Sequence, residues 1–367
     1  MSTATKTTPQ GSASPVLIRS DQVILGGGAL LIVLAGLAHY LSWNSVVAFV
    51  VCAAAVGVLA SLVGRSVEQL GDRFGPGATG VLQSALGNLP ELFICIFSLR
   101  AGLDGVVRAA LVGSILANLL LVLGLAFLVG GLRHGPQPLG SERARTILTL
   151  MLLSVTAMAI PSLAHWVHTP AGDHEKAFSV IVSVILLVLF ALSLPFSLRK
   201  EDGGAAEAGH HEEPRWPLAL AVGLLAAAGV LAAFVSDWFV VALEPAMGSL
   251  NISEAFAGLV IVAIAGNAIE NVVGVQLAAK GQSEYAFSVV LNSPLQIALV
   301  LAPVLVLVSV LFGFGGLTLV FSPMLVLVLF LAVILAALIA FDGESTWLEG
   351  ASLIALYGVI ATSFWWG

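Results

Sequence analysis

The chain has 367 residues, of which 59% are hydrophobic and only 10% are charged. Soluble domains carry roughly a quarter charged residues, so this composition excludes a soluble protein and indicates a membrane protein with several spans. The 14 basic and 21 acidic residues exclude the basic surface of a nucleic-acid-binding protein. The two cysteines, Cys52 and Cys95, lie far apart in apolar runs, which excludes a disulfide scaffold.

Residues 1–21 are polar and rich in Ser and Thr, and we expect them to form a disordered cytoplasmic tail. Apolar runs of about the 20 residues that a spanning helix needs follow this tail. Because the runs are continuous and do not alternate, they predict helices and not strands of a barrel. The eleven predicted spans are 22–41, 44–63, 78–100, 105–131, 145–165, 176–198, 217–242, 255–279, 284–312, 318–341 and 347–366.

The long polar segment 199–216 divides the spans into six and five. It carries eight charges and the pair His210 and His211, which we interpret as part of a flexible linker and not as a metal site. The predicted organisation is a first transmembrane helix at 22–43, a five-helix unit at 44–198, the linker, and a second five-helix unit at 217–367.

The positive-inside rule orients these spans in the bilayer. With the N-terminus in the cytoplasm, eleven of the 14 Lys and Arg residues lie on the inner side. The three on the outer side are Arg100, Arg108 and Lys176. We therefore expect a cytoplasmic N-terminus, and the short loops and the residue composition favour a bacterial inner membrane.

An internal repeat relates the two units at an offset of 179 residues. The offset carries GNLPEL at 87–92 onto GNAIEN at 266–271, and Ser114 onto Ser293. The two motifs are separated by five predicted crossings, so their helices run in opposite directions through the membrane. This pattern predicts an inverted-topology repeat, in which transporters place the substrate site at the membrane midplane.

Each motif places a carboxylate deep in a predicted span, at Glu91 and at Glu270. A carboxylate inside a membrane costs a few kcal/mol on insertion scales, so such a group indicates function. Asn88 and Asn267 precede the two glutamates by three residues and therefore share a helix face with them.

The helix after each motif adds oxygen donors on one face. Ser114 is followed by Asn118, and Ser293 by Gln296. An all-oxygen set suits a hard cation such as Ca²⁺, whereas zinc and copper prefer nitrogen or sulfur. The predicted ion ligands are Glu91, Glu270, Asn88, Asn267, Ser114, Ser293, Gln296 and Asn118. Nothing in the pattern indicates a cofactor.

These motifs resemble the calcium/proton antiporter family of the calcium/cation antiporter superfamily. The similarity extends from about residue 64 to the end, and it is strongest at GNLPEL and at GSILANLLLVLG, residues 113–124. It implies one helix followed by two five-helix repeats, with Glu91 and Glu270 as the central ligands of Ca²⁺ and H⁺. The chain departs from the family at Asn271, where His is common, and at 292–294, where Asn-Ser-Pro replaces Gly-Ser-Ser.

We therefore predict a secondary transporter that exchanges Ca²⁺ for H⁺ by alternating access. Two buried carboxylates bind either protons or a dication, and this competition is sufficient for exchange. A sodium/calcium exchanger or a Na⁺ or K⁺/proton exchanger with the same fold is the alternative. An enzyme is not expected, because the sequence has no Ser-His, paired-Asp or HExxH arrangement. The expected partners are the transported ions and the lipid bilayer.

Overall fold

The computed structural model describes residues 16–74, 86–139, 142–198 and 215–366. Side chains are not described at 71, 72, 74, 142, 143, 195–198 and 269–271. The helices of the first half are α1 Arg19–Tyr40, α2 Ser45–Phe74, α3 Leu89–Arg100, α4 Asp104–His134, α5 Glu142–Trp166 and α6 Glu175–Leu198. Those of the second half are α7 Leu218–Leu250, α8 Glu254–Gly266, α9 Ala268–Ala279, α10 Ser283–Phe312, α11 Pro323–Asp342 and α12 Trp347–Ser363.

The protein is an integral membrane protein built from apolar helices. Within the described ranges, eight helices are long and apolar enough to cross a membrane, and α8 and α12 are shorter apolar helices. This confirms the predicted all-helical membrane fold, while the exact number of eleven spans stays a prediction. The predicted span 78–100 is described only from Leu86 onward, and the predicted span 255–279 is divided between α8 and α9.

The centre of the bundle is α4. In the most apolar 18-residue stretch of α4, 78% of the residues are buried. The corresponding fraction in α1 is 17%, so α1 lies at the periphery. The first half of α4 packs closely on α8 and its second half on α12. α2 packs along α7, and both helices continue well past the predicted spans, to Phe74 and Leu250.

A buried, non-helical segment precedes α11. We predicted a helix from residue 318, but residues 317–321 form no helix and α11 begins at Pro323. Backbone polar groups at membrane depth need internal partners, and here serine side chains supply them. Ser162 Oγ accepts from Phe321 N at 2.9 Å and donates to Leu319 O at 2.9 Å, while Ser179 Oγ accepts from Leu319 N at 3.0 Å.

Two loops of opposite halves also meet in a short antiparallel ribbon. Residues Gln137–Pro138 pair with Glu344–Ser345, and Ser283 Oγ donates to Pro138 O at 3.2 Å. No sequence pattern predicted this ribbon. It connects the ends of α4 and α11 with the beginning of α10.

The predicted boundaries at 21 and 216 fall inside ordered structure. Asp21 was assigned to the tail, yet it lies in the first turn of α1, is 1% exposed and pairs with Arg65. Trp216 was assigned to the linker, yet it is 1% exposed and donates to Gln69 through its backbone N at 3.0 Å and to Asp21 through Nε1 at 3.3 Å. The remaining predicted tail and linker, 1–15 and 199–214, lie outside the described residues, together with His210 and His211.

Candidate ion-binding site

Two helix interruptions form the centre of the candidate site, one at each Gly-Asn pair. Asn88 precedes α3 with φ −95° and ψ 19°, and Asn267 lies between α8 and α9 with φ −100° and ψ 25°. Both are buried, at 8% and 0% exposure. The side-chain Nδ2 of Asn267 donates to Ala263 O at 2.9 Å and so binds one backbone carbonyl near the interruption.

Gly266 allows the carboxylate of Glu91 to approach the second interruption. A Cβ atom at Gly266 would lie 3.1 Å from Glu91 Cβ and 3.3 Å from its Cγ, tighter than ordinary van der Waals contact. Glu91 therefore packs directly against the backbone beside Asn267. Its position in the first turn of α3 also places it at the end of the helix dipole that favours negative charge.

Glu91 is fully buried and receives a hydrogen bond from the next helix. Its exposure is 0%, and Ser114 Oγ of α4 donates to Glu91 Oε1. The bond joins two side chains of different helices, α3 and α4. Ser114 thus fixes the carboxylate within the bundle.

An amide and hydroxyl network continues from Ser114 to the second half of the chain. Asn118 Nδ2 donates to Ser114 O at 2.9 Å and to Asn267 Oδ1 at 3.1 Å, and lies 3.5 Å from Ser293 Oγ. Ser293 Oγ donates to Asn267 Oδ1 at 3.2 Å. Asn118 is 0% exposed, and its Oδ1 has no hydrogen-bond partner in the part of the chain that the structure describes. Within the described ranges, no protein group therefore satisfies this oxygen.

The local backbone repeats around the two serines. α4 begins at Asp104 after Gly102, and α10 begins at Ser283 after Gly281; both glycines have φ +78°. Each helix then widens into a π-helical segment, Ala117–Val122 in α4 and Ile297–Leu301 in α10. Such segments are frequent at functional sites, and here Asn118 lies in the first of them.

Close packing of α4 on α8 sets the distance between the two sides of the site. A Cβ atom at Gly113 would come within 2.7 Å of the Leu259 carbonyl carbon, and one at Gly258 within 2.8 Å of Ala109 Cβ. Only glycine fits at either position. Gly113 and Gly258 were not among the residues predicted to form the site, although a glycine directly before Ser114 is a visible signal of close helix approach.

The structure joins five of the eight predicted ligands in one buried cluster, which we call the ion site: Glu91, Ser114, Asn118, Asn267 and Ser293. Asn88 lies at the first interruption, and Gln296 is half-buried one turn after Ser293. Glu270 lies on α9, but its side chain is outside the described set. No group of three His, Cys, Asp or Glu side chains suited to a metal ion occurs among the described residues. The donors of this site are hydroxyl and amide oxygens around a carboxylate, the chemistry that hard cations prefer.

Comparisons with known proteins place the chain in a family. Residues 44–199 and 220–366 match the family described as sodium/calcium exchanger protein. The Ca²⁺/H⁺ antiporter ChaA of Bacillus subtilis (strain 168) is 36% identical over 349 residues, 93% of this chain and 97% of its own length. A Ca²⁺/H⁺ antiporter of Aphanothece halophytica is 34% identical over 364 residues, 94% of this chain and 97% of its own length.

The fold agrees with these matches. A solved structure of native YfkE superposes with a TM-score of 0.79 at 33% identity, covering 94% of this chain and 99% of that one. The family resemblance of the GNLPEL and GSILANLLLVLG motifs is therefore confirmed. The chain belongs to the sodium/calcium exchanger protein family, in the group of calcium/proton antiporters.

Proposed function

We propose that this protein exchanges Ca²⁺ for H⁺ across the membrane as a secondary active transporter. The observation that supports this most directly is the buried Glu91, bonded by Ser114 and placed beside an amide and hydroxyl network from both halves of the chain. The relatives named as Ca²⁺/H⁺ antiporters, similar over nearly their whole length, support the same ions.

Exchange follows from competition for the same oxygen atoms. An uncompensated charge at membrane depth is costly, so the enclosed Glu91 carboxylate needs either a bound proton or a bound cation. A Ca²⁺ ion supplies the opposite charge and favours the ionised carboxylate, so binding of the cation releases protons. Asn118 Oδ1, which has no hydrogen-bond partner among the described side chains and backbone, is a neutral oxygen that would coordinate Ca²⁺ without binding a proton.

We propose that Glu270 completes the site as the counterpart of Glu91. It occupies the equivalent position after Asn267, three residues into the helix that follows the interruption. The matching breaks, the glycines at φ +78° and the paired π-helical segments of α4 and α10 support two five-helix repeats of inverted topology. Alternating exposure of the ion site by the two repeats would then move the ions.

We also propose a location and direction. The excess of Lys and Arg on one side of the predicted spans supports a cytoplasmic N-terminus, and bacterial relatives support a bacterial inner membrane. In this setting protons entering the cell would drive Ca²⁺ export.

Transport in liposomes tests the proposal. We expect a pH gradient alone to drive uptake of radioactive Ca²⁺, and Glu91→Gln and Glu270→Gln to abolish it. Glu284→Gln is the matched control, because this exposed glutamate also lies in the first turn of a helix, nine residues before Ser293. Uptake that requires Na⁺, or movement of Na⁺ or K⁺ against protons without Ca²⁺, would contradict the proposed ions while leaving the fold assignment intact.

A further inference from the structure

The end of α9, the helix that carries Glu270, leaves one backbone carbonyl to be bound by another part of the chain. The last carbonyl groups of a helix have no partner within the helix itself. The turn 280–282 supplies partners to the carbonyls of residues 276–278, with N···O distances of 3.0–3.2 Å. No described backbone group outside the helices donates to the next carbonyl, that of Ala279.

His134, the last residue of α4, supplies the missing donor. Its Nε2 lies 3.1 Å from Ala279 O, and because a carbonyl oxygen only accepts, the imidazole nitrogen donates. Arg133 Nη1 lies 3.5 Å from the same oxygen, at the limit of a hydrogen bond. The imidazole also covers Gly281, where an added Cβ atom would lie 3.4–3.6 Å from three ring atoms. The end of α9 is thus docked on a helix of the first half.

This contact has no counterpart at the equivalent position of the other half. At the offset of 179 residues, His134 corresponds to Gly313, which directly follows α10 and has no side chain that could donate. The turns themselves do correspond, since Gly102 and Gly281 both have φ +78°. The docking by an imidazole therefore belongs to α9 and not to α3.

The two serines of the repeat are also used differently. Ser114 Oγ donates to Glu91 and fixes that carboxylate directly. The equivalent Ser293 Oγ donates to Asn267 Oδ1 at 3.2 Å, so its single proton is engaged there. We therefore expect the position of Glu270 to depend on where the backbone of α9 lies.

α9 is short and closely packed, so a change at its end can reach Glu270. Nine residues, ~14 Å of helix, separate Glu270 from Ala279. Between them, a Cβ atom at Gly274 would lie 2.4 Å from Val290 Cγ2 of α10 and 3.5 Å from Val122 Cγ1 of α4. Because this fit leaves little room for sideways movement, we expect release of the end to shift α9 along its axis.

We propose that His134 is a positioning residue for the ion site. By binding Ala279 O it holds α9, and with it Glu270, at the depth where the carboxylate shares a cation with Glu91. The docking rests on the described contacts alone, whereas its effect on ion binding rests on the proposed function. Because His134 does not touch the ion, loss of its donor weakens Ca²⁺ binding and leaves the maximal transport rate largely unchanged.

Substitutions of His134 separate the hydrogen bond from the bulk of the ring. His134→Phe keeps a ring against Gly281 but has no donor, and His134→Ala removes both. His134→Gln restores an N–H donor. His174→Phe is the matched control, because this exposed histidine lies in the turn Pro170–His174 between α5 and α6 and not at the end of α9.

Two measurements follow the binding of Ca²⁺ and the docking separately. In liposomes, His134→Phe and His134→Ala should raise the Ca²⁺ concentration for half-maximal uptake about fivefold, the scale of one net hydrogen bond. His134→Gln and His174→Phe should stay near the wild-type value. Amide hydrogen exchange of residues 276–284 reports the docking without transport, and His134→Phe, but not His134→Gln, should accelerate it.

Wild-type amide exchange in His134→Phe would overturn the docking. Faster amide exchange with an unchanged half-maximal Ca²⁺ concentration would overturn the positioning role, and so would a fall in the maximal rate alone. If His134→Gln behaves like His134→Ala, the donor is not what holds α9. If the wild-type protein carries no Ca²⁺, the proposed function fails, and the same variants are compared with the ion that the protein does transport.

Discussion

Replacing Gly113 by Ala tests whether close contact between α4 and α8 holds the ion site together. In an ordinary helix, Gly→Ala stabilises by about 0.5–1 kcal/mol because alanine loses less backbone entropy. Here the added methyl would meet the Leu259 backbone at 2.7 Å or less, against an ordinary contact distance of 3.4–4 Å. Relief requires the helices to separate by roughly 1 Å, and overpacking of this kind costs about 1–3 kcal/mol.

We therefore expect Gly113→Ala to lower the free energy of unfolding by about 1–2 kcal/mol net, reversing the usual sign. Gly229→Ala on α7 is the control, since a Cβ atom there meets nothing within 4 Å. Unfolding in mixed detergent micelles gives the stabilities, and Ca²⁺ uptake in liposomes gives the activity. The separation should also weaken the adjacent Ser114–Glu91 bond and reduce transport. Equal stability and full transport in both variants would refute the close contact.

Three further outcomes are expected. Ser162→Ala should lower the free energy of unfolding by about 1–3 kcal/mol, because two backbone groups of the non-helical segment 317–321 lose their partner. Thr156→Ala, at an exposed position, should change it by less than about 0.5 kcal/mol. Comparison of unfolding midpoints checks both. Asn118→Ala should raise the Ca²⁺ concentration for half-maximal uptake about tenfold, which corresponds to a loss of ~1.4 kcal/mol of binding free energy. An unchanged concentration would show that Asn118 does not bind Ca²⁺. Arg65→Met should lower the free energy of unfolding, because buried Asp21 loses its cation. A double variant that adds Asp21→Asn should recover most of this loss in stability. If the double variant is as unstable as Arg65→Met, the unpaired Asp21 is not the cause.

Hydropathy predicted the membrane fold because a spanning helix needs a continuous apolar run, which is visible locally. It could not predict the non-helical segment 317–321, which is equally apolar. The groups that satisfy its backbone, Ser162 and Ser179, lie about 140 to 160 residues earlier in the chain. An apolar sequence alone does not show that such partners exist.

The candidate site, too, could be predicted only in part from the sequence. The repeated Gly-Asn-x-x-Glu motif predicted which residues belong together, because residue type, spacing and direction agreed. The hydrogen bonds from Asn118 to Asn267 and from Ser293 to Asn267 could not be predicted, because they depend on how α4, α8 and α10 cross. The tight fit of Gly258 against α4 is likewise a property of two helices together.

The buried Trp216 has a consequence for how the two halves stay associated. Its backbone and indole bind Gln69 and Asp21 of the first half, so the second half is docked where its chain begins. Together with the ribbon between Gln137–Pro138 and Glu344–Ser345, this fixes the halves through noncovalent contacts. We therefore expect two separately synthesised halves, without the connection through 199–214, to reconstitute one transporter.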